Sequence, residues 1–333
     1  MLIIKKIYVM KKRILGSSGI EVSAIGLGCW GMSGAYGKGS REKSIATIHE
    51  ALEYGIDFID TADIYGHGHN EELVGEALKG IRHKVVLASK FGFVGDEKGE
   101  LTVNGRPEYV KKACEASLRR LGTDYIDLYY LHRVDKDVPI EDTAGAMSEL
   151  VEQGKVRFTG LSEASGRTLE KAEKIHPIAA MQSEYSLNSR DIEDEVIPAC
   201  RKNDTAVVAF SPLGRALLTG SIKNTGDLAE DDFRRKIPRF QGDNFKRNLK
   251  LLSLVEEIAG RKNIKASQLA LAWLLHQGED VIPIPGMKRP EYIRENAGAV
   301  DVHITDDEME ELNNLYNSIS GERYSDSSKK FID

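Results

Sequence analysis

Four polar residues of this chain could together move a proton. Asp60, Lys90 and His132 each stand at or just after the end of a short apolar run, and Tyr65 follows Asp60 by five residues. A tyrosine hydroxyl has an ordinary pKa near ~10 and donates poorly at neutral pH unless a nearby cation stabilises its phenolate. Lys90 could supply that charge, Asp60 could hold Lys90 in an ion pair, and His132 could orient a carbonyl oxygen. The set predicts general acid catalysis in the reduction of a C=O group.

Eight short apolar segments, separated by amphipathic stretches of helical length, must position these residues. The predicted strands cover residues 24–29, 57–60, 85–89, 126–132, 156–161, 179–182, 206–210 and 281–284. The predicted helices include residues 43–54, 71–78, 107–121, 143–152, 167–175 and 192–202. Parallel neighbouring strands need crossovers of this length, and eight such units predict an α/β fold, a closed (β/α)8 TIM barrel. Its polar strand ends share one mouth, where they should pair with each other or with a ligand.

Other segments complete the predicted single domain. A turn-rich stretch at residues 13–23 predicts a β-hairpin that caps the bottom of the barrel. Between strands seven and eight lies a long irregular insert, residues 214–248, which we interpret as a lid or a large surface loop. The barrel domain is predicted to span residues 12–318, after an N-terminal extension of residues 1–11. Residues 319–333 form a Ser- and Lys-rich C-terminal tail that we expect to be loosely held.

Composition narrows the class of protein. The 333-residue chain is 41% hydrophobic and 29% charged, with interspersed charges and a formal net charge of −6. This balance argues against nucleic acid or a membrane as partner, and no apolar run reaches membrane-spanning length. Three widely spaced cysteines predict neither a disulfide framework nor a metal site, and they favour a reducing, cytoplasmic compartment. The expected partner is a small-molecule carbonyl substrate, and the sequence leaves the oligomeric state open.

Several motifs resemble those of the aldo-keto reductase family. Three of them carry the polar set: FIDTADIYG at residues 58–66, ASKFG at 88–92 and DLYYLHR at 127–133. The resemblance runs nearly end to end and implies a catalytic tetrad of Asp60, Tyr65, Lys90 and His132. Further motifs, at residues 210–215, 239–242, 284–289 and 322–324, resemble a bacterial, fungal and plant branch. Members of that branch reduce aldehydes and related carbonyls, and some act on pyridoxal-like compounds.

The resemblance also implies a nicotinamide cofactor, NADPH in preference to NADH. Ser162 and Gln182 are implied to hold its carboxamide, while Phe210 stacks on the nicotinamide in place of the family's usual tyrosine. A stack needs only the ring face, so phenylalanine suffices. The full set of implied cofactor contacts is Gly28, Ser162, Gln182, Phe210, Ser211, Leu213, Gly214, Gly286, Lys288 and Asn296.

The last residues of this set belong to a loop and helix that resemble the family's 2′-phosphate site. Lys288 supplies a point charge, and a helix start at Pro290 supplies free N–H groups, so a phosphate is favoured there. One residue departs from the family pattern elsewhere: Glu163 stands after Ser162, where many relatives have asparagine. The contact with the cofactor amide on that side is therefore left open.

Three residues are predicted to line the substrate pocket: Trp30, His67 and Phe93. His67-Gly68-His69 also resembles the H-x-H motif of barrel metallohydrolases. That alternative function needs further ligands from later strands, which offer Ser162 and Gln182 instead. We therefore expect no metal, and His67 is interpreted as a loop or substrate-contacting residue.

Two more alternatives compete with the reductase. Residues 26–31, GLGCWG, match G-x-G-x-x-G, but a glycine-rich loop follows where a dinucleotide-binding fold requires a helix. Some proteins resembling aldo-keto reductases instead act as ion-channel accessory subunits that sense cofactor with little turnover. An intact tetrad does not separate that role from catalysis, and slow turnover with tight cofactor binding would favour it.

Overall fold

Eight parallel strands form the centre of the protein, in a computed structural model that describes residues 10–34, 36–37, 39–95 and 100–333. In chain order the barrel strands are β3 (Leu27–Gly28), β4 (Phe58–Asp60), β5 (Val86–Phe91), β8 (Ile126–Leu131), β9 (Val156–Ser162), β10 (Ile178–Glu184), β11 (Ala206–Phe210) and β12 (Val281–Pro283). Each strand pairs in parallel with the next one in this order. The order therefore follows the sequence, as a barrel of repeated strand–helix units requires.

The sheet closes on itself through the backbone of its first and last strands. The Gly26 amide donates to the Pro283 carbonyl (2.9 Å), the Gly28 amide donates to the Pro285 carbonyl (3.1 Å), and Gly28 bridges to Gly286. A Cβ atom at Gly28 would lie 2.8 Å from the carbonyl oxygen of Ile284, so only glycine allows this approach. No edge is left open between the first and last strands.

A hairpin of β1 (Lys12–Ile14) and β2 (Glu21–Ser23) covers the bottom of the barrel, as predicted. Its fully buried Leu15 and Val22 join the apolar cluster of the barrel interior. The turn reaches the beginnings of two barrel strands, since a Cβ atom at Gly16 would meet backbone atoms of Ala179 and Ala206. The hairpin thus closes the end of the barrel opposite the polar strand ends.

Helices surround the sheet and pack an outer apolar layer against it. They are α1 (Arg41–Glu53), α2 (His69–Ala77), α3 (Pro107–Leu121), α4 (Ile140–Glu152), α5 (Gly166–Glu173), α6 (Val196–Lys202), α7 (Gly242–Arg261), α8 (Ala266–Leu275), α9 (Pro290–Ala297), α10 (Asp306–Leu315) and α11 (Asp326–Lys329). The predicted bounds of α3 are those observed, because Pro107 starts the helix and Gly122, in the left-handed region, ends it.

A short hairpin and three helices were missed by the sequence analysis. Strands β6 (Phe93–Gly95) and β7 (Leu101–Val103) pair antiparallel beside the barrel mouth. The helices are α7, α10 and α11. Helix α7 corrects the predicted insert: its irregular part ends at Gln241, and residues 242–248 are helical. The rest of the insert consists largely of 3₁₀ turns around an apolar cluster of its own.

The C-terminal tail is not loosely held, contrary to expectation. Arg323 forms an ion pair with Glu163 (2.9 Å), and the Phe331 ring packs against Phe93 with centroids 5.3 Å apart. The side-chain carboxylate of Asp333 accepts hydrogen bonds from the amide and the hydroxyl of Ser165. Charged and aromatic side chains therefore hold this segment against the barrel domain in spite of its polar composition. The proposed division of the chain at residues 11/12 and 318/319 stays a prediction, and residues 1–9 lie outside the described residues.

No helix among the described residues combines the length and the apolar character that crossing a membrane demands.

Candidate active site

The predicted tetrad converges at the carboxyl ends of the barrel strands. The Lys90 Nζ atom is fully buried and donates to Asp60 Oδ1 (2.5 Å) and to the carbonyl of Thr61 (2.8 Å). It also donates to the Tyr65 hydroxyl oxygen at 3.1 Å. The His132 ring lies edge-on to the Tyr65 ring, with centroids 5.9 Å apart. One ammonium thus joins the carboxylate to the phenol, with the imidazole beside them.

Burial and charge set the protonation states of this group. Burial on its own lowers the pKa of the Lys90 ammonium, but Asp60 and Tyr65 together outweigh it, and the net pKa is raised. Burial raises the pKa of the Tyr65 phenol, and Lys90 opposes this only in part. Lys90 therefore lowers the phenol pKa, but burial outweighs it, and Tyr65 is a protonated donor at neutral pH. Burial, with Arg133 and Lys90 nearby, holds the pKa of His132 well below its usual range, so its imidazole is neutral.

An amide links the tetrad to the neighbouring strand ends. The Gln182 Nε2 atom donates to the second carboxylate oxygen of Asp60 (2.8 Å), a contact that the sequence analysis did not foresee. Gln182 is the direct register partner of Ser162 on β9, and Phe210 ends the next strand, β11. The three residues implied to hold the nicotinamide therefore lie on adjacent strands beside Asp60. The Ser162 hydroxyl accepts from Arg133 Nη1 (3.2 Å).

Aromatic rings border the mouth on two sides. Trp30, 36% exposed, lies 6.1 Å from the Tyr65 ring centroid and 5.2 Å from that of Phe233, a residue of the insert. On the other side the Phe93 ring meets the His132 ring at 4.9 Å. Of the predicted pocket residues, Trp30 and Phe93 thus contact the tetrad. His67 lies exposed on the loop after Tyr65, in the left-handed region with φ of 54°.

The segment after β11 turns sharply. Ser211 and Gly214 have φ angles of 49° and 58°, and a Cβ atom at Gly214 would collide with the Asn188 side chain. Leu213 packs its side chain against the outer apolar layer. Gly28 and Gly286 form the closing bridge at the seam between β3 and β12, the strand next to β11. The structure therefore places these implied cofactor contacts in a tight loop and at the seam of the barrel.

The predicted phosphate loop leads into α9 as expected, with Pro290 at its first turn. The Lys288 ammonium donates to the backbone carbonyl of Tyr36, and burial lowers its pKa, with Arg289 adding to the effect. Asn296 is buried within α9. Lys288 therefore spans from this loop to the loop after β3, and a phosphate would have to compete with a neutral carbonyl for it.

Comparison with known proteins decides the family. The sequence model described as "Aldo/keto reductase family" matches residues 24–317. The aldo-keto reductase yakc of Schizosaccharomyces pombe, whose name specifies NADP(+), is 45% identical over 311 residues, which are 91% of this chain and 92% of that protein. The chain belongs to the aldo/keto reductase family. The family resemblance inferred from the motifs is thereby confirmed.

Solved structures confirm the (β/α)8 fold of this aldo/keto reductase. The glycerol dehydrogenase AKR11B4 of Gluconobacter oxydans superposes with a TM-score of 0.84 at 33% identity, covering 92% of this chain and 95% of that one. An aldo-keto reductase of Klebsiella pneumoniae in complex with NADPH superposes with a TM-score of 0.72 at 32% identity, with the same two coverages.

Sequence reasoning gave no role to several residues at the mouth of this aldo/keto reductase. Arg133 contacts Ser162, and Phe233 contacts Trp30. Arg323, quoted only within a motif of the family branch, pairs with Glu163. One signal was present: a glutamate at the end of a buried strand needs a cation, and that cation had to come from elsewhere in the chain. Among the described residues, no group of three or more His, Cys, Asp or Glu side chains is arranged to hold a metal ion.

Proposed function

We propose that this aldo/keto reductase reduces aldehydes, or reactive ketones, to alcohols with NADPH, and that Tyr65 donates the proton. The observation that carries the proposal is the Tyr65 hydroxyl, 3.1 Å from the buried Lys90 ammonium that Asp60 holds. Family membership supports carbonyl reduction in general. The NADP(+) in the name of the S. pombe relative and the NADPH bound to the K. pneumoniae structure support the cofactor.

The residues present fit a nicotinamide cofactor by the chemistry of their donors and acceptors. A hydroxyl (Ser162) and an amide (Gln182) lie side by side at the strand ends, and the ring of Phe210 follows on the next strand. Those groups suit a carboxamide attached to a flat ring. Lys288 beside the first turn of α9 suits a phosphate. The same residues would hold NADPH, which supplies a hydride to the carbonyl carbon when bound.

The chain's own residues handle the proton. As negative charge develops on the substrate oxygen, the Tyr65 hydroxyl donates its proton to that oxygen. The Lys90 ammonium stabilises the phenolate left behind, and Asp60 keeps Lys90 in place. His132, neutral because its pKa is far below the usual range, donates a ring N–H to the same oxygen and orients it. Its Nδ1 atom is buried with no hydrogen-bond partner among the described residues, so the imidazole has unused hydrogen-bonding capacity.

The aromatic rings at the mouth restrict water around that oxygen. Trp30, packed against Phe233, covers one side of Tyr65. Phe93, packed against Phe331, covers the side of His132. Excluding water strengthens the electrostatic interaction between Lys90 and the phenolate. A planar carbonyl compound would pack well against these rings.

The test is the oxidation of NADPH and of NADH, followed by absorbance with benzaldehyde, in wild type and in Tyr65→Phe. We expect turnover with a preference for NADPH, and a fall in kcat of ~10²–10⁴-fold in Tyr65→Phe, because a positioned acid is lost. The cofactor dissociation constant should change little. Tyr125→Phe, which removes a hydroxyl near the start of β8 at the far end of the barrel, serves as the matched control.

Each outcome separates the alternatives. Near-full turnover in Tyr65→Phe would show that another group donates the proton. Tight binding of NADPH without turnover in wild type would favour the cofactor-sensing accessory subunit. Absence of nicotinamide cofactor binding would refute the proposed function.

A further inference from the structure

A strained and buried glutamate follows the strand end that carries Ser162. Glu163 is 5% exposed and has a φ of 52°, in the left-handed region that residues other than glycine seldom adopt. Its own amide continues the strand ladder by donating to the Gln182 carbonyl (2.9 Å). Its carboxylate accepts from the Glu184 amide (2.8 Å). The conformation of Glu163 therefore fixes where the ends of β9 and β10 lie relative to each other.

Arg323 of the C-terminal tail supplies the charge that this glutamate needs. Its Nη1 atom lies 2.9 Å and 3.1 Å from the two carboxylate oxygens of Glu163, and its Nη2 atom lies 2.9 Å from Asp191. Burial on its own would raise the pKa of Glu163, but Arg323, with Arg133 beyond it, holds that pKa below its ordinary value. A buried carboxylate in this backbone conformation thus depends on a residue 160 positions away.

The insert between β11 and β12 binds to the same residue. Arg215 donates through Nη1 to the backbone carbonyl of Arg323 (2.9 Å) and through Nη2 to Glu184 (2.8 Å). The guanidinium groups of Arg215 and Arg323 both lie over the ring of Tyr324, at 5.0 Å and 4.8 Å. Tail, insert and strand ends therefore share one buried network of ion pairs.

We propose that Arg323 is a positioning residue for the carboxamide end of the cofactor, acting through Glu163. The inference rests on the proposed function, because the ligand at Ser162 and Gln182 is taken to be the nicotinamide. With Arg323 bound, the backbone from Ser162 to Glu163 is held in one conformation, and the Ser162 hydroxyl stays beside Gln182. Without it, Glu163 is a buried charge that must turn to solvent, and its left-handed backbone is free to relax. The tail is then part of the cofactor site although it follows the barrel in sequence.

The experiment measures NADPH binding by fluorescence titration in wild type, Arg323→Gln and Arg323→Lys, with unfolding midpoints measured in parallel. We expect the dissociation constant of NADPH to rise by roughly tenfold in Arg323→Gln, within the usual range for coupled sites. Arg323→Lys should fall between the two, since a lysine keeps the charge but not the fork that reaches Glu163 and Asp191 together. In steady state, KM for NADPH should rise by more than kcat falls.

A matched control separates positioning from stability. Arg82 forms a similarly buried ion pair with Asp127 at the opposite end of the barrel (2.7 Å), where Arg157 also pairs with Asp127. Arg82→Gln should lower the unfolding midpoint as Arg323→Gln does, yet leave NADPH affinity unchanged. If Arg323→Gln is too unstable to titrate, the double variant Glu163→Gln with Arg323→Gln replaces it. Removing both charges leaves no buried carboxylate without a partner, because Glu184 keeps Arg215 and the Asp191 side chain is half exposed. Its stability should therefore recover, while NADPH affinity stays low.

The outcomes are distinct. Wild-type protein that binds no NADPH contradicts the proposed function itself. Wild-type protein that binds, with equal affinity in Arg323→Gln or in the double variant, overturns the role of Arg323 and leaves the proposed function standing. Equal losses of affinity in Arg82→Gln and Arg323→Gln would also overturn it, because the effect would then follow stability alone.

Discussion

Replacing Lys90 with methionine tests the electrostatic core of the site. The substitution keeps an unbranched side chain of similar length and removes a fully buried ammonium. That charge lies 3.1 Å from the Tyr65 hydroxyl oxygen. With an effective dielectric constant of about 20, a unit charge at that distance stabilises the phenolate by about 5 kcal/mol. This is an upper bound, because the lysine charge is shared with Asp60.

The two directions of the reaction should respond differently in Lys90→Met. Reduction needs the protonated phenol, so its activity is present below the phenol pKa and is lost as pH rises through it. Alcohol oxidation needs the phenolate, so its activity appears only as pH rises toward the same pKa. Burial already raises the pKa of Tyr65, and removing Lys90 raises it further. We expect kcat to fall by ~10²–10⁴-fold for reduction at pH 7, and by more for oxidation.

The assay is the pH profile of kcat in both directions, with benzaldehyde and NADPH or benzyl alcohol and NADP⁺. The limb of the oxidation profile should move to higher pH in Lys90→Met. Adding Asp60→Asn removes the carboxylate that the first change leaves buried without its cation, so it should restore stability but not activity. Lys155→Met, which removes a partly exposed ammonium that pairs with Glu115 and donates to Gln153, is the control. An oxidation profile that does not move would refute the assigned role of Lys90.

Two other predictions concern groups beside the tetrad. Burial, with the Glu71 carboxylate adding to it, raises the pKa of Asp63 to about 7, and Asp63 Oδ1 is buried with no hydrogen-bond partner among the described residues. The folded protein keeps a proton that the unfolded chain releases near pH 4, so the free energy of unfolding should fall as the pH rises from about 4 to 7. Asp63→Asn should therefore raise the unfolding midpoint at pH 8 but not at pH 4. The corresponding gain in free energy of unfolding is at most ~4 kcal/mol. Equal shifts of the midpoint at both pH values would contradict this. Lys288→Ala should lower kcat/KM for NADPH by roughly tenfold or more and leave NADH unaffected, since one charge-assisted phosphate contact is lost; an equal loss with both cofactors would show that Lys288 reads no 2′-phosphate.

The tetrad could be predicted from the sequence because each of its residues is fixed by local pattern. Asp60 and His132 lie at or next to the ends of apolar runs, and a parallel barrel brings all such ends to one mouth. Lys90 lies within β5, the strand paired with both β4 and β8. Strands that follow one another along the chain lie side by side in the barrel, so the prediction required no long-range contact.

The network around Glu163 could not be predicted in that way. Its partner Arg323 lies in a polar tail with no periodicity, and neither local pattern nor composition states which of many arginines docks on a given carboxylate. The wrong expectation of a loosely held tail has the same cause. The polar composition of the tail favours a mobile segment, whereas long-range ion pairs that local pattern does not show hold it in place. Helix α7 was missed because it begins at Gly242, a poor helix former; packing of Phe245 and Leu252 outweighs that local preference.

The proposed function links proton transfer to cofactor binding through one asymmetry in the site. An ionised carboxylate only accepts hydrogen bonds, so Asp60 Oδ2 requires that Gln182 turn its NH₂ group inward. The carbonyl oxygen of the Gln182 side chain is then the atom left to meet the NH₂ group of a nicotinamide carboxamide. Ser162, which already accepts from Arg133, can donate its own proton to the carboxamide oxygen. An asparagine at position 60 could donate as well as accept, so Gln182 would no longer be held in one orientation. Asp60 therefore orients both the ammonium beside Tyr65 and the amide expected to align the cofactor, and a change there should disturb both.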